Sequence, residues 1–257
     1  MPVDGVWWAS CGPYAIVFAL GAYRLWLNWN RDRAAMALYV NVLVGCCWEI
    51  GGPLLDAVGP TAAAISAVGD MFFVAAFLLI LHNWSRIAKQ METGVRSTSA
   101  PAAVIAFVGL NGIAYTTDAV LFGIELSKFS SLSSLLCDLH CASHGLLLLL
   151  SATAVGVFPY YANRMRLVLV KVGEDSPKRL RNIFSIAALA MLYFVATAIA
   201  QILDSLRLLH ACTLVAPLSW PLVAIKGACV VLLLFVLPWR PAPSKHGYIR
   251  LRSHNAG

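Results

Sequence analysis

Glu49 lies deep in an apolar stretch that runs from Ala34 through Gly45-Cys46-Cys47-Trp48 to Ile50. An ionised carboxylate at membrane depth costs about 2.5–3.5 kcal/mol even on a mild insertion scale, so a chain that keeps one there gives it a task or a partner. The tasks open to it are proton handling, ion passage or pairing with a buried cation. Among apolar side chains the neutral acid is favoured, and that is the form a general acid must have. Asp56, Asp70, Asp118, Asp138 and Asp204 lie inside or at the ends of other apolar stretches, and Lys226 falls midway along the last one.

Each of these residues also has a plainer reading. Glu49 can pair with Lys226 and simply hold two helices together. Asp70, Asp118 and Asp204 can each be a structural hydrogen bonder or a cavity residue, and Asp204 has Arg207 close by in sequence. Lys226 in a seventh apolar stretch is the arrangement of a retinal Schiff base, as in the microbial rhodopsins. Yet the residue one turn before it is Leu222, and the residue one turn before Asp70 is Ser66 or Ala67, where those proteins carry Asp and Arg. A lysine that neutralises Glu49 or Asp70 fits these neighbours better. Cys137, His140, Cys141 and His144 share one helix face. One straight helix rarely supplies four tetrahedral ligands, so hydrogen bonding between helices is the better reading and no metal is expected. Trp7, Trp8, Trp26, Trp29, Trp84 and Trp239 fall near stretch ends as an interfacial belt would. Trp48 and Trp220 do not, and are the two tryptophans expected beside a ligand.

The elements that must position these residues are helices. The chain has 257 residues, 60% of them hydrophobic and only 12% charged, with a mean hydropathy of +0.76. Runs of about 20 apolar residues are long enough to cross a hydrocarbon core roughly 30 Å thick. Seven such runs are predicted, at about 10–29, 35–58, 60–82, 102–125, 132–160, 183–208 and 212–238. Lipid offers nothing to an open strand edge, so each run should be α-helical. The expectation is an all-α bundle of seven transmembrane helices in a single domain over 1–239, followed by a basic, disordered tail over 240–257. Pro159 should close the fifth run, Pro217 and Pro221 should disturb the start of the seventh, and 163–182 should be a basic, solvated connector with room for a short helical extension.

The net charge of +7 does not point to nucleic acid, because the basic residues alternate with the runs. Arg31 and Arg33 follow the first, Arg86, Lys89 and Arg96 the third, Arg164 to Arg181 the fifth, and Arg240 to Arg252 the seventh. By the positive-inside rule this puts the N-terminus outside or in the lumen and the C-terminus in the cytosol. At about 1.5 Å per residue, Glu49, Asp118 and Asp138 fall at similar heights in the outer half, with Asp70 and Lys226 nearer the middle. The cytosolic half is almost purely apolar. The seven cysteines, mostly within runs and odd in number, do not make a disulfide framework.

Arg33, Met36-Ala37, Cys46-Cys47 and Trp48-Glu49 together resemble the second span of the small integral-membrane terpene cyclases of meroterpenoid and indole-diterpenoid pathways. Weaker similarity extends to Asp70 with Trp84, to Ser205-Leu206-Arg207, and to Pro217-Leu218. The resemblance implies proton-initiated cyclisation of a lipophilic, prenylated and in some cases epoxidised substrate, without metal or other cofactor. It implies a site in the endoplasmic reticulum or, in a bacterium, the cytoplasmic membrane. It makes Glu49 the essential acid. The family's second acid, an aspartate in the seventh span, has no counterpart in Ile225-Lys226-Gly227-Ala228-Cys229-Val230, so Asp70 or Asp118 is expected to take that role. Trp48, Trp220, Asp138, Asp204 and Lys226 are then expected to line the substrate cavity. The alternative is a retinal-binding protein with Lys226 as its Schiff base.

Overall fold

The computed structural model describes residues 4–28, 33–54, 60–93, 99–126, 133–172, 176–208 and 215–237. Among them are seven α-helices: α1 (Asp4–Asn28), α2 (Arg33–Leu54), α3 (Pro60–Thr93), α4 (Ala102–Leu126), α5 (Ser133–Val172), α6 (Pro177–Leu208) and α7 (Val215–Val236). Four of them are long and apolar enough to cross a membrane, within Val68–Thr93, Ala102–Leu121, Ala142–Lys171 and Pro177–Leu203. The other three contain shorter apolar segments, Tyr14–Leu27, Met36–Gly51 and Ala224–Val236. The outer surface is as apolar as the interior. Leu149 and Ile113 are each 63% exposed, and Ile16, Val120, Leu192 and Leu232 are similarly bare. Water would penalise such a surface all round, whereas lipid would cover it.

Consecutive helices pack side by side, and α7 returns to α1, so the seven close into a ring. α3 stands furthest inside, touching α5 as well as α2 and α4. The core along its inward face is aromatic. Phe77 meets Tyr193 with ring centroids 5.0 Å apart, Phe158 meets Phe194 at 5.8 Å, and Trp84 meets Phe158 edge-on at 6.5 Å.

α1 and α7 run parallel and in register. Arg24, 1% exposed, donates from Nη1 to the Leu237 carbonyl at 2.8 Å. Ten residues earlier on both helices, the Tyr14 ring lies against Gly227. Both contacts join residues 213 positions apart, so the register holds over about 15 Å of helix. A buried guanidinium at the end of α7 also satisfies a carbonyl that the helix leaves without a partner.

Four helices outrun the lengths expected from apolarity, and α1 does so at its start, Asp4. α3 continues to Thr93, α5 to Val172, and α6 begins at Pro177. Most of 163–182 is therefore helix, so the helical extension expected in this basic connector is longer than a short one. Side chains past the apolar core explain the extension. Arg164 of α5 pairs with Glu92 of α3 at 2.7 Å and lies over the Tyr160 ring at 5.1 Å, tying the two extensions together. Ser176 starts α6, accepting from the Arg179 and Leu180 amides at 2.9 and 3.1 Å, and Pro177 occupies the first helical position, where no amide donor is needed.

Pro159 does not close α5; the helix passes through it. A proline inside a helix loses one backbone bond, at roughly 3 kcal/mol. Here Phe158 on one side and Tyr161, Ala162 and Met165 on the other are all buried, and they hold both turns against the core. Pro217 lies in the first turn of α7, where it is tolerated, and α7 also runs through Pro221. The tail over 240–257 lies outside the described residues.

Candidate functional site

The polar centre of the bundle is assembled where α2 crosses α3. Gly45 and Gly69 make that crossing close. A methyl on Gly45 would stand 2.7 Å from Cε1 of the Phe73 ring and 3.1 Å from the Gly69 carbonyl oxygen. One turn further along α2, Glu49 takes up the space that a side chain on Gly69 would need. A methyl there would meet its Oε1 at 2.7 Å and its Cγ at 3.1 Å. Small residues let helices approach in this way, and here the approach brings the Glu49 side chain against the backbone of the residue before Asp70.

Asp70 is the hub. Lys226 Nζ of α7 forms an ion pair with Asp70 Oδ2, and the Tyr193 hydroxyl of α6 donates to Oδ1 at 3.0 Å. The two charged side chains are 10% and 16% exposed, so the pair is shielded on nearly every side. Lys226 Nζ also stands 6.0 Å from the centre of the Tyr193 ring. Tyr14 of α1 completes the group. Its ring stacks on Phe73 at 5.9 Å with 10° between planes, and it lies within electrostatic reach of both Glu49 and Asp70. Cys46, buried one turn before Glu49, is part of the same neighbourhood.

Five helices thus contribute to one cluster: Tyr14 from α1, Glu49 from α2, Asp70 from α3, Tyr193 from α6 and Lys226 from α7. Counting about 1.5 Å per residue from the nearer end of each helix, Tyr14, Asp70 and Lys226 lie about 15–16 Å deep and Glu49 about 8 Å. The aromatic group of Phe77, Tyr193, Phe194 and Phe158 packs directly beyond, so the cluster has an apolar floor.

Of the residues singled out from the sequence, Glu49, Asp70 and Lys226 are brought together. Lys226 had two candidate partners, and its ion pair is with Asp70. Trp48, expected beside a ligand, is instead 42% exposed. A neighbour in sequence is turned about 100° around a helix, so turning Glu49 toward α3 leaves Trp48 on the outer surface. Asp118, Asp138, Asp204 and Trp220 have backbones in α4, α5, α6 and α7, and their side chains lie outside the described residues, as do those of Cys137, His140 and Cys141 and all of Asp56. His144 is described and is buried at 4% exposure.

Sequence reasoning missed Tyr14, Tyr193 and Arg24. The two tyrosines read as ordinary apolar-run residues, and only their hydroxyls, in stretches with few other donors, set them apart. Arg24 stood out more, as a cation several residues inside the first run. No family model matches the chain, and no curated protein or solved structure matches it either.

Proposed function

We propose that this chain is an integral-membrane terpene cyclase that starts the cyclisation of a lipophilic prenylated substrate by protonation from Glu49. The observation that carries the reading is the division of labour between two neighbouring carboxyl groups. Asp70 is engaged by a lysine and a tyrosine hydroxyl, while Glu49, packed against Gly69, is the second acid of the same cluster. A carboxyl group in that position can serve as a general acid toward a substrate in the cluster.

In this reading the Glu49 proton goes to an epoxide oxygen or to the end carbon of an alkene. The C–O bond or the alkene π pair opens to leave a cation. The next alkene supplies the electron pair of the ring-closing C–C bond. The last cation then loses a proton, and Asp70 is the carboxylate placed to receive it. The aromatic faces of Tyr14, Phe73, Tyr193 and Phe77 suit passing cations, and the dense floor beneath keeps water from ending the reaction early. Asp70, reached through Lys226 of α7, takes the role of the aspartate that the resemblance would place in the seventh helix. The reading treats all seven helices as membrane spans with the N-terminus outside or lumenal, in the endoplasmic reticulum or a bacterial cytoplasmic membrane.

The test is expression in a host supplied with prenylated and epoxidised candidate substrates, followed by product analysis. Glu49→Gln keeps the shape and removes the transferable proton, and is expected to lower turnover at least about 10²–10⁴-fold with folding intact. Normal turnover by that variant defeats the mechanism.

One observation favours a second reading. A lysine of α7 paired with a carboxylate of α3 is what a protonated retinal Schiff base and its counterion would need. Reconstitution with retinal decides between them: a visible band that bleaches with hydroxylamine selects this second reading, and its absence leaves the cyclase.

A further inference from the structure

The end of the bundle where α5 stops and α6 begins carries a basic collar that the proposed chemistry does not use. Arg166 and Lys171 on α5, with Lys178, Arg179 and Arg181 on α6, are all exposed. Their positions continue two apolar stripes. On α6 the exposed face runs through Ile199, Val195, Leu192 and Ala188 to Phe184, and further along it come Arg181, one turn on, and Lys178, nearly two turns on. On α5 it runs through Leu149, Gly156, Tyr160 and Leu167 to Val170, with Arg166 beside Leu167 and Lys171 beside Val170. The charge balance is firmly positive. Residues 164–181 hold six basic side chains against the acids Glu174 and Asp175, a net of four positive charges. Of the six, Arg164 is engaged with Glu92.

Outward apolar side chains such as Phe184 (44% exposed) and Val170 (53%) require lipid chains over them. Arg181 and Lys178 beyond Phe184, and Lys171 beside Val170 at the end of α5, then stand at the level of the lipid phosphates, and Arg166, beside Leu167, can extend toward that level along its own apolar stem. We propose that the α5–α6 end of the bundle binds anionic phospholipid headgroups. Phosphates sit against Arg166, Lys171, Lys178 and Arg181, and acyl chains against Leu167, Val170 and Phe184. A free phosphate would meet the cations and leave the apolar half of the site bare, so the lipid is the occupant. This surface is independent of whatever reaction the polar cluster performs.

The test uses the purified full chain in neutral detergent, titrated with phosphatidylglycerol or with phosphatidylcholine of the same acyl chains. Retained lipid is counted by native mass spectrometry, and the unfolding midpoint is followed in parallel. Phosphatidylglycerol should be retained in preference, and the preference should fall as salt is raised from about 50 to 500 mM. In R166Q/K171Q/K178Q/R181Q it should be lost, at about fivefold in affinity for each cation removed. Equal retention of the two lipids, or an unchanged preference in the variant, overturns the proposal. Displacement of phosphatidylglycerol by about 10 mM inorganic phosphate overturns it too, because the collar would then be a site for a free anion. Should the variant not fold, the native chain decides alone: a preference indifferent to salt removes the electrostatic basis of the site.

Discussion

Breaking the Asp70–Lys226 pair should cost far more than removing it. With side-chain exposures of 10% and 16%, solvent screens neither partner, so deleting one strands a buried charge. Such a loss costs about 3–5 kcal/mol, whereas replacing both partners with neutral groups of similar volume is often close to neutral. Lys226→Met strands the Asp70 carboxylate and Asp70→Asn strands the Lys226 ammonium, so each single change should cost about 3–5 kcal/mol. In the double variant Asp70→Asn/Lys226→Met the Tyr193 hydroxyl keeps an amide oxygen to donate to, and stability should lie within about 2 kcal/mol of the parent. The two single losses together should exceed the double loss by at least about 4 kcal/mol. The assay is unfolding in mixed micelles titrated with a denaturing detergent, read by tryptophan fluorescence at pH 7. Additive losses, or single variants that each cost less than about 1 kcal/mol at pH 7, would refute the buried pair.

The crossing of α2 and α3 makes an ordered pair of predictions. Gly45→Ala drives a methyl into the Phe73 ring and toward the Gly69 carbonyl, and should cost about 1–3 kcal/mol by overpacking. Gly69→Ala first meets the Glu49 side chain, a flexible group rather than a ring or backbone. It should cost less stability but lower turnover at least about tenfold, and the reverse order of stabilities in parallel unfolding curves would defeat this account of the crossing. Arg24→Met removes a charged hydrogen bond to the Leu237 carbonyl, worth about 1.5–3 kcal/mol. The loss should appear as earlier amide exchange at the last turn of α7 than elsewhere, and uniform exchange would place the role of Arg24 elsewhere.

The helical class, the number of helices and the approximate places of α2, α4 and α7 were legible because long apolar runs leave a backbone few other options. The lengths of α3, α5 and α6 were not, because an apolarity criterion stops where the hydrocarbon would stop. Glu92 and Arg164 tie the extensions of α3 and α5 together by pairing, which leaves no mark on hydropathy. Pro159 misled for a related reason: its local cost is visible in the sequence, and the burial of Phe158 and Tyr161 that offsets it is not. Within the site, Glu49, Asp70 and Lys226 were conspicuous as charges out of place. Their pairing was readable only as a choice, Lys226 with Glu49 or with Asp70, since Asp70 and Lys226 are 156 residues apart and periodicity fixes a face of one helix, never its neighbour. Tyr14 and Tyr193 escaped because a tyrosine shows its hydroxyl only once something is placed against it.

The same separation of 156 residues imposes an order in time. A ribosome adds roughly 5–20 residues per second, so the stretch from Asp70 to Lys226 takes roughly 8–30 s to make. Throughout that interval α3 exists without its lysine. Its aspartate must hold a proton, keep water, or borrow another group until the last helix arrives. The seam between α1 and α7, held by Arg24 and by Tyr14 against Gly227, cannot form earlier either. The nascent chain is an open arc with a wet centre, and only the final helix both neutralises the interior and shuts it.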